Sequence, residues 1–404
     1  MANVGIICEY NPFHNGHKYQ IDEIKKLFGE ETVIVCVMSG SYTQRGDVSV
    51  LNKYERARIA VECGASLVLE LPFPYSASSA EFFAEAGVEI LERLGCVDYL
   101  CFGSECGDVE IIKRYAQIML SEDFKNAFIA EKEKKENKKL GYAQILEKTA
   151  KILFTNEKDF DIIKGANNIL GIEYVKALIR RSSKIQPITV RREGASHTDA
   201  TTLSAMASAS AIRQMIYGSR LDLIESAMPS ESLSAIQNAE KIGEIHGIDE
   251  LSDVILAHFR LNADNSFTPA ECADGVYERL LSAAEASQSL AEMLDALTTK
   301  KYTNAKFRRA ILFSLLKVSD DDMRAMPEYT ALLAADKRGT ELLSKIRKNK
   351  RINILTKPAD YTALPENARA QATLNNRADS IYSLSCRKKG TGYDLLRMSP
   401  YIKK

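Results

Sequence analysis

The chain has 404 residues, and its 54 Lys and Arg side chains balance 54 Asp and Glu side chains, so the formal net charge is zero. A hydrophobic content of 45% and a charged content of 27% are those of a globular protein and exclude extensive disorder. The neutral total also excludes a uniformly basic protein, although a local basic patch for nucleic acid remains compatible with it.

Several features favour a cytoplasmic protein of two or three domains, at roughly 150 residues per domain. No apolar run reaches the length of about 18 residues that predicts a membrane span. The N-terminal residues have no basic region followed by a cleavage site, so we expect no signal peptide. Eight cysteines are too few for a disulfide scaffold, and their spacing predicts no zinc site.

The first 105 residues alternate between continuous apolar runs, which predict buried strands, and amphipathic runs, which predict helices. Continuous strands separated by helices predict a parallel sheet covered on both faces, that is, a doubly wound α/β domain. The predicted strands are Val4–Glu9, Thr32–Met38, Ser66–Leu71 and Tyr99–Phe102. The predicted helices are His17–Phe28, Asn52–Cys63 and Ser78–Leu94.

A charged helical segment then interrupts this alternation over about residues 108–160, and we interpret it as a helical insertion with a solvated face. The alternation returns with a helix at Asn168–Arg181, a strand at Ile185–Val190 and a helix at Ser210–Tyr217. We therefore expect the α/β domain to occupy residues 1–220 and a mainly helical domain to occupy residues 221–404.

The chemistry is indicated by the segment from Glu9 to His17, which follows the first strand and opens the first helix. Ligands bind at the carboxyl ends of parallel strands, and a helix N-terminus offers free N–H groups to phosphate. His14 and His17 are three residues apart, so both lie in the first turn and can donate hydrogen bonds. Capping of the helix alone would also explain two histidines, but this context favours a phosphate site.

The HxGH pattern of these residues resembles that of the nucleotidyltransferase and class I aminoacyl-tRNA synthetase superfamily. Ser208–Arg213 resembles the Ser/Thr-rich segment that the same superfamily uses against ATP phosphates, which makes Ser210 and Arg213 candidate phosphate contacts. Longer runs are similar to the bacterial tRNA(Met) cytidine acetate ligase family. They are residues 5–17, 38–46, 69–72, 102–105 and 167–174.

This resemblance implies a Rossmann-like domain of the HxGH type and a ligase that activates acetate with ATP. The acetyl-adenylate would then acetylate N4 of the wobble cytidine of elongator tRNA(Met), giving N4-acetylcytidine, AMP and diphosphate. Mg²⁺ is expected as a phosphate partner, but no carboxylate cage for a metal is evident. No membrane or protein partner is implied.

The resemblance also implies an ATP site, with His14 and His17 as its catalytic residues. Most of the implied contacts are contiguous: Ile7, Cys8, Glu9, Tyr10, Asn11, Pro12, Phe13, His14, Asn15, Gly16, His17, Lys18, Tyr19 and Gln20. Gly103, Asn167, Arg192 and Glu193 complete the set. Glu193 stands where the family has an apolar residue, and we expect only its backbone to make contact.

Three basic segments toward the C-terminus, residues 300–309, 337–357 and 387–404, predict a surface for RNA phosphates. Within them, Lys348, Lys350 and Arg351 are the candidate tRNA contacts. Two other functions share some of these features. A small-molecule adenylyltransferase would use the same histidines but leaves the long C-terminal half unexplained. A non-catalytic nucleotide-binding protein is disfavoured because both histidines are present.

Overall fold

The computed structural model describes residues 2–154, 162–192, 205–261, 267–273, 275–299, 301–349 and 351–404. Within these ranges eight strands form one sheet. They are β1 Asn3–Cys8, β2 Val33–Ser39, β3 Leu67–Leu71, β4 Tyr99–Ser104, β5 Gln186–Arg191, β6 Tyr329–Ala335, β7 Asn353–Leu355 and β8 Tyr401–Ile402.

The α-helices of the described ranges surround this sheet or pack beside it. They are α1 Asn15–Phe28, α2 Lys53–Glu62, α3 Ala80–Leu94, α4 Val109–Leu120, α5 Glu122–Glu133, α6 Tyr142–Leu153, α7 Ala166–Arg180, α8 Ala209–Tyr217, α9 Ser230–Ile242, α10 Ser252–Leu261, α11 Val276–Ala286, α12 Leu290–Leu297, α13 Asn304–Leu316, α14 Asp320–Arg324, α15 Lys337–Asn349, α16 Glu366–Tyr382 and α17 Asp394–Arg397. None of them is long and apolar enough to cross a membrane.

The sheet has the strand order β5-β4-β1-β2-β3-β6-β7, and β8 pairs with β6. Strands β1 to β5 are all parallel to one another. From β1 the chain moves outward through β2 to β3, and then returns to place β4 and β5 on the other side of β1. This reversal creates a crevice at the carboxyl ends of β1 and β4, where doubly wound sheets bind their ligands.

Both faces of the sheet are covered by helices, as the continuous apolar strands predict. One apolar cluster places the alternate side chains Val33, Val35 and Val37 of β2 against α3 and α7. The other places Ile34, Cys36 and Met38 of the same strand against α1, α2 and α9. The prediction of a doubly wound α/β fold is therefore confirmed.

The C-terminal half is mainly helical, as expected, but it also contributes three strands that the sequence analysis did not predict. Strand β6 lies antiparallel to β3, with Leu67 opposite Ala335. The sequence of β6, Tyr-Thr-Ala-Leu-Leu-Ala-Ala, is rich in Ala and Leu, which favour helix. Pairing with the open edge of β3 overrides that preference. The division at residue 220 stays a prediction, although β6 extends the sheet built by the first 191 residues.

Residues 108–160 form the predicted helical insertion as far as they are described. Helices α4, α5 and α6 occupy Val109–Leu153, and α4 packs against α7. A third apolar cluster joins α10–α13 to α16 and to Tyr42 and Phe73 from the N-terminal half. The helical region therefore packs against the loops that follow β2 and β3.

Candidate active site

A cavity of about 530 Å³ opens at the crevice between β1 and β4. Its floor comes from the ends of these strands, with Ile7 and Cys8 on one side and Phe102 and Gly103 on the other. A side chain at Gly103 would place its Cβ 3.3 Å from Cγ of Arg192, so glycine leaves room for that arginine at the cavity wall. The cavity is where the strand order predicts a ligand site.

His14 and His17 are held by the N-terminus of α1 in one defined arrangement. Nδ1 of His14 accepts a hydrogen bond from the amide of Gly16 at 3.0 Å, and Nδ1 of His17 accepts one from the amide of His14 at 3.2 Å. The two rings stack with their centroids 3.8 Å apart. Because each Nδ1 is an acceptor, a neutral ring must carry its proton on Nε2. Both histidines can therefore donate Nε2–H to a ligand.

The surroundings keep both rings neutral. Burial, with Arg192 and Arg213 adding repulsion, lowers the pKa of His14 to about 3. Burial also lowers the pKa of His17 well below its ordinary value, and the neighbouring His14 and Arg192 lower it further. At neutral pH the pair consequently offers two hydrogen-bond donors without positive charge of its own.

A second helix N-terminus faces the same cavity. Ser208 caps α8 by accepting a hydrogen bond from the amide of Ala211 at 3.2 Å, and residues 208–210 line the cavity. Arg213, one turn further along, donates to the carbonyl of Asn11 at 2.8 Å and so joins α8 to the loop before α1. Two helix N-termini directed at one space favour a phosphate-bearing ligand.

The charged side chains of the cavity wall are predominantly basic. Arg45, Arg192, Arg213 and Arg308 line it, whereas its carboxylates are those of Glu9 and Asp47. Because the histidines are neutral, the four arginines and two carboxylates give the lining a formal charge of plus two. This excess of positive charge attracts a polyanion such as a nucleoside triphosphate.

Glu105 organises the wall around Asn167. Its carboxylate accepts hydrogen bonds from the side-chain amide of Asn167 at 2.7 Å and from the backbone amide of Asn168 at 2.7 Å, at the N-terminus of α7. These donors outweigh burial and lower the pKa of Glu105. Arg192 donates in turn to Oδ1 of Asn167 at 3.3 Å. The chain Glu105–Asn167–Arg192 fixes one side of the cavity.

Arg56 holds the two loops that form the opposite wall of the cavity, those after β1 and β2. Its fully buried guanidinium donates to the backbone carbonyls of Glu9, which follows β1, and of Ser39 and Gly40 at the end of β2. Above it, the carboxylate of Glu9 accepts a hydrogen bond from the amide of Gln44 at 2.7 Å. Burial nevertheless raises the pKa of Glu9. The loop after β2 is thereby held against the loop after β1.

Most of the residues singled out from the sequence surround this cavity, but they do so in two ways. Those that line it are Ile7, Cys8, Glu9, His14, His17, Gln20, Gly103, Asn167, Arg192, Ser210 and Arg213. The others belong to the same loop and helix without lining it: Tyr10, Asn11, Pro12, Phe13, Asn15, Gly16, Lys18 and Tyr19. Glu193 lies outside the described residues. Contact of each residue with ATP stays a prediction.

The residues that do not line the cavity support it. Tyr10 and Phe13 are buried in the apolar cluster beneath the loop. Asn11 accepts a hydrogen bond from the amide of Val50 at 2.8 Å, and Asn15 donates to the carbonyl of Ser226 at 2.8 Å. These contacts hold the loop in the shape that presents the two histidines.

Several lining residues were not predicted from the sequence. Gln44 and Arg45 lie in the run 38–46, and their position directly after the second strand was the signal that could have identified them. Asp47, Tyr217 and Arg308 come from three distant segments. No local pattern marks them, because only the packing of α8 and α13 beside the loop after β2 brings them together.

The candidate tRNA contacts lie away from this cavity. Arg351 is beside Gly95, which ends α3 and precedes β4, and α15 begins beside Ser66, which precedes β3. These positions are at the amino edge of the sheet, whereas the cavity is at its carboxyl edge. Lys348 and Arg351 are exposed, and Lys350 lies outside the described residues. Their contact with tRNA stays a prediction.

The described residues contain no group of three or more His, Cys, Asp or Glu side chains that could hold a metal ion. Glu9 and Asp47 are the carboxylates that line the cavity, and each already accepts a hydrogen bond from a backbone amide. This donor set does not form a Mg²⁺ cage, which needs near-octahedral oxygen ligands.

The whole chain is similar to proteins that are already known. The family model described as HIGH Nucleotidyl Transferase matches residues 1–394. A tRNA(Met) cytidine acetate ligase of Acetivibrio thermocellus is 34% identical over 374 residues, which cover 89% of each chain. The ligase of the same name from Alkaliphilus metalliredigens is also 34% identical and covers 100% of this chain and 99% of its own.

Solved structures are similar over the full length as well. Thermotoga maritima TmcAL bound with alpha-thio ATP superimposes with a TM-score of 0.90 at 26% identity, covering 100% of both chains. The apo form of the same protein gives a TM-score of 0.91, with 100% of this chain and 99% of that one covered. The similarity therefore extends through the mainly helical C-terminal half.

Proposed function

Because the chain belongs to the tRNA(Met) cytidine acetate ligase family of HIGH nucleotidyl transferases, and is a ligase that uses ATP, we propose that it acetylates the wobble cytidine of elongator tRNA(Met). Acetate and ATP would first give acetyl-adenylate and diphosphate. The acetyl group would then pass to N4 of the cytidine, with release of AMP. The observation that carries the proposal is the stacked histidine pair, with both Nε2–H groups available in a positively charged crevice.

The first step requires acetate to attack the α-phosphorus of ATP while the bond to the diphosphate breaks. Negative charge then accumulates on the phosphate oxygens. His14 and His17 would donate Nε2–H to these oxygens, and the N-termini of α1 and α8 would add backbone donors. Donors that are already oriented cost no rearrangement during the reaction, and each contributes roughly 10²–10³ to the rate of such steps.

Arg192 and Arg213 are the cations best placed to hold the departing diphosphate. Arg192 is oriented by Asn167, and Arg213 by the carbonyl of Asn11, so neither pairs with a carboxylate among the described residues. Their charges are therefore available to a ligand. Mg²⁺, where present, would be held by the phosphate oxygens, since the described side chains form no cage for it.

The second step requires the N4 amine to attack the acetyl carbonyl. The adenylate makes this attack possible because AMP is a far better leaving group than the oxide ion that free acetate would have to lose. The base must leave its stack to reach the crevice, and this is easier in an anticodon loop than in a duplex.

ATP–diphosphate exchange tests the proposal. Exchange should require acetate, and AMP release should then require tRNA(Met) with the formation of N4-acetylcytidine. Propionate and formate in place of acetate control for the choice of acid, and tRNA lacking the wobble cytidine controls for the acceptor. Exchange that proceeds equally without acetate would contradict the proposal and favour a small-molecule adenylyltransferase.

A further inference from the structure

The cavity between β1 and β4, where we propose that ATP binds, is called the ATP cavity below. A second cavity, of about 310 Å³, adjoins it and shares three residues with it. The shared residues are Asp47, Tyr217 and Arg308. Its other walls come from the ends of α8 and α9, from residues 247–250 and from Arg387. A group bound there would meet a group bound in the ATP cavity at these shared side chains.

The two cavities have opposite charge. The lining of the second cavity includes the carboxylates of Asp47, Glu240, Asp249 and Glu250 against the guanidiniums of two arginines, so its formal charge is two minus four, or minus two. The ATP cavity has a formal charge of plus two, as derived above. Phosphate is therefore attracted to the first cavity and repelled from the second, which suits an uncharged group that donates hydrogen bonds.

Asp47 has free acceptor capacity at the junction. Oδ1 accepts a hydrogen bond from the amide of Val48 at 3.0 Å, and Oδ2 pairs with Nη1 of Arg308 at 3.2 Å. Each carboxylate oxygen has a second acceptor position. Burial raises the pKa of Asp47, although Arg308 and Arg213 oppose the rise, so this carboxylate is a stronger base than an exposed one.

The loop that carries Asp47 is held firmly. Gly46 adopts a φ of +71°, and a Cβ at this position would lie 2.6 Å from the backbone nitrogen of Arg309. The loop can therefore lie directly on α13, where Arg308 reaches Asp47. This close approach fixes the carboxylate relative to both cavities.

Tyr217 offers an aromatic surface at the same junction. Its side chain is 46% exposed, although its hydroxyl is anchored by a hydrogen bond to the carbonyl of His246 at 3.1 Å. A fixed, partly exposed ring is a platform on which a nucleobase can stack, and single-stranded RNA is commonly bound in this way.

We infer that the second cavity is the acceptor site, in which the cytosine base stacks on Tyr217 and its N4 amine donates a hydrogen bond to Asp47. This inference rests on the proposed function and adds the binding site of its nucleophile. Arg387 is exposed at the rim, where it can contact the flanking RNA phosphate. The acidic interior then admits the base and keeps the phosphates outside.

In this arrangement Asp47 also accepts the proton released in the transfer. The N4 nitrogen forms a bond to the acetyl carbon, the bond from that carbon to the AMP oxygen breaks, and AMP leaves with the electron pair. One proton passes from N4 to the Asp47 carboxylate and then to water. The products are N4-acetylcytidine, AMP and that proton.

Single-turnover transfer from enzyme-bound acetyl-adenylate to tRNA(Met), measured beside ATP–diphosphate exchange, tests this site. Asp47→Asn should lower the transfer rate about 100-fold or more, as expected for loss of a general base, and this loss should exceed any loss of exchange at least tenfold. Tyr217→Leu should weaken tRNA binding about 10-fold through lost stacking, and Tyr217→Phe should restore most of it.

Glu271→Gln is the matched control. Glu271 pairs with Arg309, the next residue of α13, at 2.7 Å, but it lines neither cavity. This variant should keep both rates. The acceptor site is refuted if Asp47→Asn transfers normally, or if it loses exchange and transfer in parallel. If the wild-type protein shows no acetate-dependent exchange, the proposed function itself fails and the acceptor site fails with it.

Discussion

Replacement of Lys53 by methionine should destabilise the protein by about 3 kcal/mol, at the lower end of the range for breaking a buried ion pair. Its ammonium lies 2.7 Å from a carboxylate oxygen of Glu70 and 2.7 Å from one of Asp379, and all three side chains are at most 4% exposed. Burial opposes the charge on Lys53, but Asp379 and Glu70 together raise its pKa. The three residues join α2 and β3 to α16.

The expected loss of stability follows from the hydrogen bonds that each carboxylate retains in the variant. In the variant, Asp379 retains the hydroxyl of Ser41 at 2.5 Å, and Glu70 retains the side-chain amide of Asn375 at 3.2 Å. Each carboxylate thus keeps one neutral donor but loses the only cation that lies within ion-pair distance of it among the described residues. We therefore expect a loss smaller than for fully unpaired charges, yet well above the 0–1 kcal/mol of surface pairs.

The loss should also depend on pH with a defined sign. Burial already raises the pKa of Glu70, and loss of the neighbouring ammonium raises it further. A carboxyl group with a raised folded-state pKa binds a proton more readily when folded, so folding is favoured at low pH and this gain is lost as the pH rises. The deficit of Lys53→Met should therefore be larger at pH 8 than at pH 5.

Urea unfolding followed by far-ultraviolet circular dichroism measures both quantities. Lys388→Met is the control, because Lys388 pairs with Glu244 at 2.7 Å but is 63% exposed. We expect that control to lose far less stability than Lys53→Met, because solvent screens an exposed ion pair. A deficit below about 1 kcal/mol for Lys53→Met, or an equal deficit at both pH values, would refute the reasoning.

Three further predictions concern the site. His14→Ala and His17→Ala should each lower acetate-dependent exchange by roughly 10²-fold, since each removes one oriented donor; circular dichroism checks the fold, and normal exchange in both variants would exclude the assigned role. The pH profile of exchange should show no step between pH 6 and 7, because the pKa of His14 is about 3; a step that disappears in His14→Ala would contradict this. The double variant Lys348→Glu with Arg351→Glu should weaken tRNA binding and flatten its salt dependence. Exchange measured without tRNA is the control. An unchanged affinity and an unchanged salt slope would show that this segment does not bind RNA.

Much of the site follows from local sequence. The apolar run of β1, the turn after it and the spacing of His14 and His17 suffice to place both histidines at a helix N-terminus above a parallel sheet. These features depend on neighbours in the chain, so their signal is present in a short window. The same holds for the cap of α8 at Ser208, which the sequence marks by a hydroxyl before an apolar helix.

Other parts have no local signal. The sequence of β6 has a composition that suits a helix, and it becomes a strand because β3 leaves an unpaired edge about 260 residues earlier in the chain. In the sequence, nothing distinguishes Lys53 from an ordinary charged residue of a helix. Its burial depends on pairing with Asp379 from α16. Such pairings are contacts between distant segments, which no periodicity reveals.

The sequence by itself determined the order of the first five strands along the chain, the helices between them and the two histidines that open α1. Tertiary structure decided how these parts act. It occupies both Nδ1 atoms and buries the rings, which leaves neutral Nε2–H donors at neutral pH. It also gathers Asp47, Tyr217 and Arg308 between two cavities of opposite charge. The physical reason is that protonation and electrostatic potential depend on burial and on charges close in space, wherever those charges lie along the chain.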